Sequence, residues 1–507
     1  MHHTRLIRLG ALTRLHSTSC ARPAAVLTSA PTSPSPSPPP PAAPSPLGEP
    51  PLKPQPFIPR PLSRKLQLES LSPSPHDPSS TTLRFVSPSD PRSPPRTLSL
   101  PNLFLRDASI HPDHVHPSSN QKLFRTTDLP IDANLVGYGV HDIPGKGDCL
   151  VTEWSTPLKG APLKSAKLSV VPLEVLVALL KGDPAPEGKV PSARLWDRAQ
   201  LDQTLVRTPY DKFISSDSAL FDTLDGLIKD GIVLLTGVPT SPREGHHTEL
   251  RKAVERIGSL RRTWYGDLWD VKAEEASRNI AYTNLDLGLH MDLTHFANPP
   301  RYQFLHSLLN TSITGGSSYF VDSYALAAHL HSHHPSHFTT LCTEPVQFEY
   351  KNGPHWTRFA RPTFELARGS TSTLEAVNYS PPFQGQLPLE RLSRGRDEVV
   401  SDDAARLHAL HEALAAFAAL ADDAEGKWRW VHQLEPGECV VFDNRRVLHA
   451  RTAFEFVGEA AAEEGGQVGE RGRWLKGAYM DGEEVWSRWR VLDETRRGKG
   501  RGRTLLK

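Results

Sequence analysis

The chain has little cysteine and no long apolar run. Its 507 residues include four cysteines, Cys20, Cys149, Cys342 and Cys439, which are widely separated and form no C-x-x-C pair. This scarcity argues against a disulfide framework or a cysteine-rich zinc site, and it favours a reducing compartment. Since no stretch approaches the roughly 18 consecutive apolar residues that a bilayer-spanning helix needs, no membrane span is expected.

Neither sign of charge dominates. The 58 Lys and Arg side chains nearly balance the 57 Asp and Glu side chains, for a formal net charge of +1. The balance gives no reason to expect nucleic acid or an anionic surface as a partner. The basic tail at residues 496–507 is a local exception, which we interpret as a solvated, disordered end.

Acidic residues are missing from the start of the chain. Residues 1–30 contain arginine, serine and threonine, whereas the first acidic residue is Glu49. An arginine-rich, acid-free start with leucines at helical spacing is typical of a mitochondrial transit peptide. A disordered tail on a cytoplasmic protein is the alternative. Residues 31–97 are rich in proline and serine, which bury little apolar area, and we predict a disordered linker there.

A small domain is expected after this linker, at residues 98–185. Short apolar runs lie at 134–138 and 149–154, and the turn residues 145–148 between them indicate a hairpin. A helix at 172–180 follows the hairpin. We interpret the segment as a small N-terminal β-rich domain that precedes a main domain at residues 186–495.

The main domain mixes strand and helix signals. Leucines at helical spacing from Leu220 end at Gly231, and an apolar strand follows at 232–235. Further strands are predicted at 279–283, 302–309, 317–321, 439–442 and 474–479, and further helices at 246–257, 323–330 and 402–421. Many strands with surrounding helices predict a mainly β fold, with flanking helices around a double-stranded β-helix, or jelly-roll, core.

One short motif suggests a metal site. In His290-Met291-Asp292 the imidazole and the carboxylate are two residues apart, so on a strand both would point to the same face. His449, after an apolar strand, is the candidate third ligand, and two histidines with one carboxylate leave open positions at Fe(II). Chance alone gives about one H-x-D match in this chain. His111-Pro112-Asp113 is such a match, in a segment with little strand character, and we interpret it as structural.

The surroundings of the motif make the assignment specific. They resemble the γ-butyrobetaine and trimethyllysine dioxygenases, a branch of the taurine-dioxygenase-like superfamily, over residues 98–492. The matching stretches are WYGDLW at 264–269, NIAYT at 279–283, GLHMD at 288–292, GGSS at 315–318, FDNRRVLHAR at 442–451 and RWLKGAY at 473–479.

The resemblance implies an oxygenase that uses Fe(II) as cofactor, 2-oxoglutarate as cosubstrate, O2 and ascorbate as reductant. Decarboxylation of 2-oxoglutarate to succinate and CO2 would accompany hydroxylation of an unactivated C–H bond. Arg473 matches the position that binds the distal carboxylate of 2-oxoglutarate, with Arg451 as rival and Ser318 as a further contact. An arginine suits this role because its fork matches a carboxylate in two hydrogen bonds.

The resemblance also implies a quaternary-ammonium substrate. Such a cation has no N–H to donate and is held by aromatic faces. Four aromatic residues match the cage positions, and two asparagines are polar candidates in the same pocket: Tyr265, Trp269, Tyr282, Tyr479, Asn279 and Asn378. Ordinary core packing is the alternative for each aromatic residue.

Several functional alternatives stay open at this point. The leading hypothesis is hydroxylation of γ-butyrobetaine to carnitine, and trimethyllysine is the nearest alternative substrate. A jelly-roll that only binds a partner and a cupin-like metal enzyme without 2-oxoglutarate are hypotheses from other classes.

The small domain departs from the family. Relatives often carry a zinc site there, whereas this chain has Ser109, His111, His114 and Lys167 at the matching positions. Two imidazoles and a lysine make a poor structural zinc site. We therefore expect no zinc, which stoichiometric zinc in a metal analysis would contradict, and we expect this domain to serve packing or the formation of a homodimer.

Overall fold

The computed structural model describes residues 61–63, 66–116, 118–144, 146–181, 190–245, 247–272, 287–311, 313–388, 401–423, 426–456 and 472–500. Several predictions lie outside these residues: the transit peptide at 1–30, the strand at 279–283, and the pocket residues Asn279 and Tyr282.

The N-terminal module contains two antiparallel sheets. The first has the strands β1 (Pro61–Ser63), β2 (Leu66–Pro73), β3 (Ser80–Val86) and β4 (Arg96–Pro101). The second has β5 (Leu135–Ile143), β6 (Gly147–Trp154) and β7 (Leu168–Pro172), and the module's helices are α1 (Asn102–Asp107) and α2 (Leu173–Leu180). The predicted hairpin is the β5–β6 pair.

The linker prediction was wrong over about its second half, because β2 and β3 lie inside residues 31–97. Leu83 and Phe85 point to the same face of β3 and are fully buried, together with Leu68 of β2. Within residues 66–97, most of the proline and serine residues lie in the turns between these strands. A few apolar side chains at strand spacing are enough to form a core against the second sheet.

The main domain follows. Its strands are β8 (Arg207–Pro209), β9 (Ile232–Thr236), β10 (Leu268–Lys272), β11 (Leu287–His290), β12 (Tyr302–Thr311), β13 (Ile313–Gly315), β14 (Ser318–Asp322), β15 (Pro345–Asn352), β16 (His355–Pro362), β17 (Phe364–Leu366), β18 (Leu374–Val377), β19 (Trp430–His432), β20 (Cys439–Asp443), β21 (Val447–Arg451), β22 (Phe454–Phe456) and β23 (Gly472–Met480). Its helices are α3 (Arg198–Thr204), α4 (Tyr210–Ser215), α5 (Asp217–Asp230), α6 (Glu249–Glu255), α7 (Ser323–His333), α8 (Pro335–Thr343), α9 (Ser401–Asp422) and α10 (Gly482–Gly500).

Two sheets face each other in this domain. The larger has the strand order β10-β23-β12-β20-β9-β8, and the smaller has the order β11-β21-β14-β19. Apolar side chains from both sheets meet between them, among them Leu305, Leu475, Phe320 and Val447. Two packed sheets with helices outside confirm the predicted jelly-roll core.

Helices cover the outer face of each sheet. Phe304 and Ala478 of the larger sheet pack against Leu224 of α5 and Trp489 of α10. Leu448 and Ala450 of the smaller sheet belong to a cluster with residues of α7, α8 and α9. The predicted helix stop at Gly231 is confirmed: the residue is the C-cap of α5 and has a left-handed conformation with φ 74°.

The basic tail starts inside a helix. Because α10 continues to Gly500, residues 496–500 are helical, and the expectation of a disordered end was wrong for them. Arg496 lies 3.9 Å from the centre of the Phe221 ring and 3.4 Å from Asp222 Oδ1, so its charge contacts α5. No helix in the described part of the chain is long and apolar enough to cross a bilayer.

Candidate functional site

Strand alternation collects the predicted residues in the space between the two sheets. On β23, Leu475 belongs to the inter-sheet core, so Arg473 and Tyr479 share its inward face. On β21, Val447 points inward, and His449 and Arg451 therefore do as well. The same argument places Ser318 beside Phe320, and Trp269 packs against this core directly.

The side chains of His290, Asp292 and His449 converge on one point. The Nε2 atom of His290 lies 3.4 Å from Oδ1 of Asp292, and Nε2 of His449 lies 4.0 Å from Oδ2 of the same carboxylate. One ligand atom from each residue lies within 4.8 Å of the others. Among the residues described, no other group of three or more His, Cys, Asp or Glu side chains is this close, the His111 motif included.

Both histidines are prepared to offer a lone pair. The Nδ1–H of His290 donates to the Gly288 carbonyl at 2.9 Å, which leaves Nε2 free for a metal ion. Burial, followed by the charge of His290, lowers the pKa of His449 to about 3. Neutral imidazoles and a carboxylate are the donors that Fe(II) requires, so this set fits the metal that the sequence predicts.

The Asp292 backbone is held by a buried amide. Strand β11 ends at His290, and Leu293 adopts φ 59°, so Asp292 lies in the turn after the strand and not on it. Asn444, which is fully buried, accepts a hydrogen bond from Asp292 N–H at 2.8 Å and donates to its carbonyl at 3.0 Å. It also donates to the Pro300 carbonyl. The strand-spacing argument for this motif is thus corrected: a turn, fixed by Asn444, brings the carboxylate to the histidines.

The Asp292 carboxylate is kept ionised. Burial acts to raise its pKa, but the hydrogen bond from His290 and the charges that His449 and His290 carry when protonated lower the pKa well below its usual range, as does the Tyr479 hydroxyl. When the imidazoles are neutral, the hydrogen bond from Tyr479 is the one of these contributions that remains. Tyr479 donates to Oδ2 at 2.7 Å, and Nε2 of Gln303 donates to the same oxygen at 2.8 Å.

A second charged centre lies further along the same space between the two sheets. Arg473 is 7% exposed, and burial together with the nearby charge of Arg451 lowers its pKa to about 9. No acidic side chain in the described ranges forms an ion pair with Arg473, and Arg451 contacts the Phe454 ring at 4.9 Å. Ser318 pairs with Arg451 across β14 and β21. Two buried guanidinium groups side by side form a suitable site for a carboxylate.

Three of the four predicted cage residues are described. The rings of Trp269 and Tyr479 stack at 5.1 Å with an angle of 29°. Burial raises the pKa of Tyr265, with further contributions from Tyr350 and from the charge of Asp292, so this phenol lies near the metal-binding carboxylate. The structure therefore brings Tyr265, Trp269 and Tyr479 to the neighbourhood of Asp292.

Asn378 lies beside the site with its amide already engaged. Its Nδ2 donates to the Pro362 carbonyl and to Glu365 Oε1, both at 3.0 Å. Its Oδ1 is buried and has no partner in the described part of the chain. The next residue, Tyr379, accepts a hydrogen bond from Met291 N–H through its carbonyl. As oriented, Asn378 offers an acceptor, which suits a donor group on a ligand and not a carboxylate.

Sequence reasoning missed several residues around the triad. Asn444 and Gln303 hold Asp292, although Gln303 could have been noticed as a polar residue at an inward position of an apolar strand. His295 stacks on Trp264 and Tyr350 and shares a hydrogen bond with Thr357 at 2.7 Å. Tyr350 and Thr357 lie on the β15–β16 hairpin, for which no motif gave a signal.

In the N-terminal module, two of the residues at the altered zinc positions, Ser109 and His114, share a hydrogen bond. Ser109 Oγ lies 3.0 Å from His114 Nδ1 and accepts from Val170 N–H at 3.1 Å, while Lys167 is exposed. Burial lowers the pKa of His114 to about 4. In this arrangement Ser109 is a hydrogen-bond centre that links three segments of the module.

Comparisons with known proteins agree with this geometry. The family model described as "Taurine catabolism dioxygenase TauD, TfdA family" matches residues 197–479. Dioxygenase str8 of Strobilurus tenacellus is 35% identical over 391 residues, which are 77% of this chain and 84% of that protein. γ-Butyrobetaine dioxygenase of Pseudomonas sp. (strain AK-1) is 29% identical over 399 residues, 77% of this chain and 90% of that protein. Trimethyllysine dioxygenase of Meyerozyma guilliermondii is 27% identical over 277 residues, 52% of this chain and 58% of that protein.

Replacement of the buried amide tests the turn that carries Asp292. We expect Asn444→Leu to weaken Co(II) binding to the metal-free protein by about 10–100-fold, because Asp292 loses its backbone contacts. The midpoint temperature of thermal unfolding should fall as well, since buried backbone groups of Asp292 and Pro300 lose their hydrogen-bond partners. Asn310→Leu, which removes another part-buried amide bonded to a carbonyl, is the control. Equal Co(II) affinity in wild type and Asn444→Leu would contradict the role of Asn444.

Proposed function

The chain belongs to the TauD/TfdA family of Fe(II)- and 2-oxoglutarate-dependent dioxygenases, and we propose that it hydroxylates a trimethylammonium substrate. γ-Butyrobetaine, with carnitine as product, is the first candidate, and trimethyllysine is the alternative. The observation that carries the proposal is the close set of His290, Asp292 and His449 together with two buried arginines, Arg473 and Arg451, that face the same space from opposite sheets.

In this proposal His290, Asp292 and His449 hold Fe(II). The bound ion supplies the O2 chemistry that converts 2-oxoglutarate to succinate and CO2 and hydroxylates a C–H bond. The protein keeps His449 neutral and the Asp292 carboxylate ionised, and the hydrogen bond from His290 Nδ1 to the Gly288 carbonyl directs the Nε2 atom of His290 to the metal ion. Ascorbate is the proposed reductant.

Arg473 binds the distal carboxylate of 2-oxoglutarate in this proposal. Its guanidinium is nearly buried and has no acidic partner among the described residues, so an incoming carboxylate would relieve an unfavourable buried charge. Arg451, whose charge lies close by, contributes to the same positive field, and Ser318 offers a hydroxyl beside it.

The aromatic residues support a cationic substrate. Tyr265, Trp269 and Tyr479 lie near Asp292, and the faces of tyrosine and tryptophan attract a cation that cannot donate hydrogen bonds. Tyr282 and Asn279 complete the pocket in the proposal from the family resemblance. Asn378 offers only its unpartnered oxygen, so it would make the polar contact that the resemblance suggests to the α-ammonium group of trimethyllysine and not to γ-butyrobetaine, which has no donor. Relatives named for γ-butyrobetaine and for trimethyllysine both match this chain.

Substitution of the two arginines separates the cosubstrate site from its surroundings. We expect Arg473→Met to raise the KM for 2-oxoglutarate by about 30-fold or more, because one partner of a buried charge pair is lost. Arg473→Lys should recover part of this loss, since it keeps the charge without the fork. The KM is measured by succinate release.

Arg451→Met is the matched comparison, and it should raise the KM for 2-oxoglutarate less than Arg473→Met does. A larger effect of Arg451→Met would assign the carboxylate to Arg451. Substrate turnover by Arg473→Met that is as fast as in wild type and does not require 2-oxoglutarate would favour a metal enzyme without this cosubstrate.

A substrate screen tests the proposal directly. With Fe(II), ascorbate and 2-oxoglutarate, we expect substrate-dependent succinate release with γ-butyrobetaine, and less with trimethyllysine or shorter betaines. A neutral analogue with a tert-butyl group in place of trimethylammonium has nearly the same shape, so it should be a much poorer substrate if aromatic faces bind the charge. Equal turnover of the two, or no turnover of any trimethylammonium compound, would sink the proposed substrate class.

The remaining proposals concern location and the N-terminal module. We propose a mitochondrial protein, with cytoplasm as the alternative, because residues 1–30 lack acidic residues and are rich in arginine. A reporter fused to residues 1–60 should enter mitochondria, and a cytosolic reporter would overturn this. We also propose that the module binds no zinc and serves packing or homodimer formation.

A further inference from the structure

Two donors from one sheet hold a single oxygen of Asp292. Gln303 on β12 and Tyr479 on β23 are direct partners across the larger sheet. Both donate to Oδ2, at 2.8 Å from Gln303 Nε2 and 2.7 Å from the Tyr479 hydroxyl. Asp292 follows β11 of the smaller sheet, so these hydrogen bonds cross the space between the sheets.

We propose that Gln303 and Tyr479 are positioning residues that restrict Asp292 to one metal-binding oxygen, Oδ1. This inference rests on the proposed function, because it assumes the metal centre. Oδ1 is the oxygen nearer to His290, with 3.4 Å between it and Nε2. Oδ2, already bound to two donors, has less electron density to offer a metal ion.

The number of coordination positions explains why one oxygen matters. If His290, Asp292 and His449 each gave one ligand atom to a bound ion, positions would stay open for a chelating 2-oxoacid and for O2. A carboxylate that bound through both oxygens would take one of these positions. By engaging Oδ2, Gln303 and Tyr479 keep the position open.

The orientation of Gln303 supports a dedicated role. Gln303 is 1% exposed, and its Oε1 is buried without a partner in the described ranges. The opposite amide orientation would place Oε1 against the carboxylate, where two acceptors repel. The Gln303 side chain therefore leaves its own Oε1 without a hydrogen bond, because Nε2 must face Asp292 to donate to it.

Tyr479 links the carboxylate to the pocket. Its ring stacks on Trp269, and its hydroxyl binds Oδ2, so one side chain contacts both the aromatic wall and the metal ligand. A cage residue needs only its ring face, whereas a positioning residue needs its hydroxyl. The two roles can be separated by a substitution that removes the hydroxyl alone.

Titration of the metal-free full-length protein with Co(II), in the absence of any organic substrate, tests the inference. We expect Tyr479→Phe and Gln303→Met each to weaken Co(II) affinity by about 10–100-fold, the usual effect of losing a hydrogen bond to a metal ligand. The visible absorption of bound Co(II), which depends on coordination number, should also change. Tyr210→Phe is the matched control, because the Tyr210 hydroxyl donates to another carboxylate, Glu249, at 2.6 Å.

The outcomes separate this inference from the proposed function. Unchanged Co(II) affinity and spectrum in Tyr479→Phe and Gln303→Met would overturn the positioning role, and a change only in the KM of a trimethylammonium substrate would assign Tyr479 to the cage alone. If His449→Ala binds Co(II) as tightly as wild type, the metal centre itself is wrong, and both proposals fall. Because Tyr479→Phe keeps the ring and its packing, a folding failure of Gln303→Met leaves the test intact.

Discussion

An ionised carboxylate in a largely buried position, with 20% of the Asp292 side chain exposed, is the constraint on which the rest of the centre depends. Burial disfavours the charge of Asp292, and the structure offsets this with donors from different parts of the fold. Gln303 and Tyr479, which donate to the carboxylate, come from two strands of the larger sheet. Asn444, which comes from the turn that precedes β21, binds the backbone N–H and carbonyl of Asp292. Polar contacts to one residue therefore fix the two sheets relative to each other, in addition to the apolar core between them.

Strand geometry also contributes to the distance between the two charged centres. His449 and Arg451 are neighbours on the inward face of β21, about 7 Å apart along the strand. Arg473 and Tyr479 lie on the inward face of β23, with Tyr479 at the metal end and Arg473 at the cationic end. Each strand thus contributes one residue to the metal centre and one arginine to the cationic centre. Because His449 and Arg451 are two positions apart on β21 whereas Tyr479 and Arg473 are six apart on β23, about 20 Å along the strand, the reach of the side chains contributes to the separation of the two centres as much as the strand rise does.

Much of this arrangement could be predicted from the sequence, and the reasons for the failures are physical. His290, His449 and Arg473 lie in motifs that the family resemblance identified. Periodicity predicted most of β23, the strand that carries Arg473, but it did not predict β11 or β21, which carry His290 and His449. The position of Asp292 depends on a turn with φ 59° at Leu293, which strand spacing cannot reveal. The contact between Gln303 and Asp292 joins two sheets, and a single sequence holds no record of such a distance. Composition misled the linker prediction because a strand needs only alternate apolar residues, such as Leu83 and Phe85.

One small residue controls the aromatic wall. Gly477 pairs with Trp269 across β23 and β10, and a Cβ at this position would overlap the indole ring. The flat stack of Trp269 on Tyr479 therefore requires a glycine on the neighbouring strand. Replacement of Gly477 by a residue with a side chain is tolerated only after Trp269 has been replaced by a smaller residue. The order of substitution is thereby restricted during evolution: a lineage that changes its substrate by this route must replace Trp269 first, and the reverse order passes through a protein with a disrupted pocket.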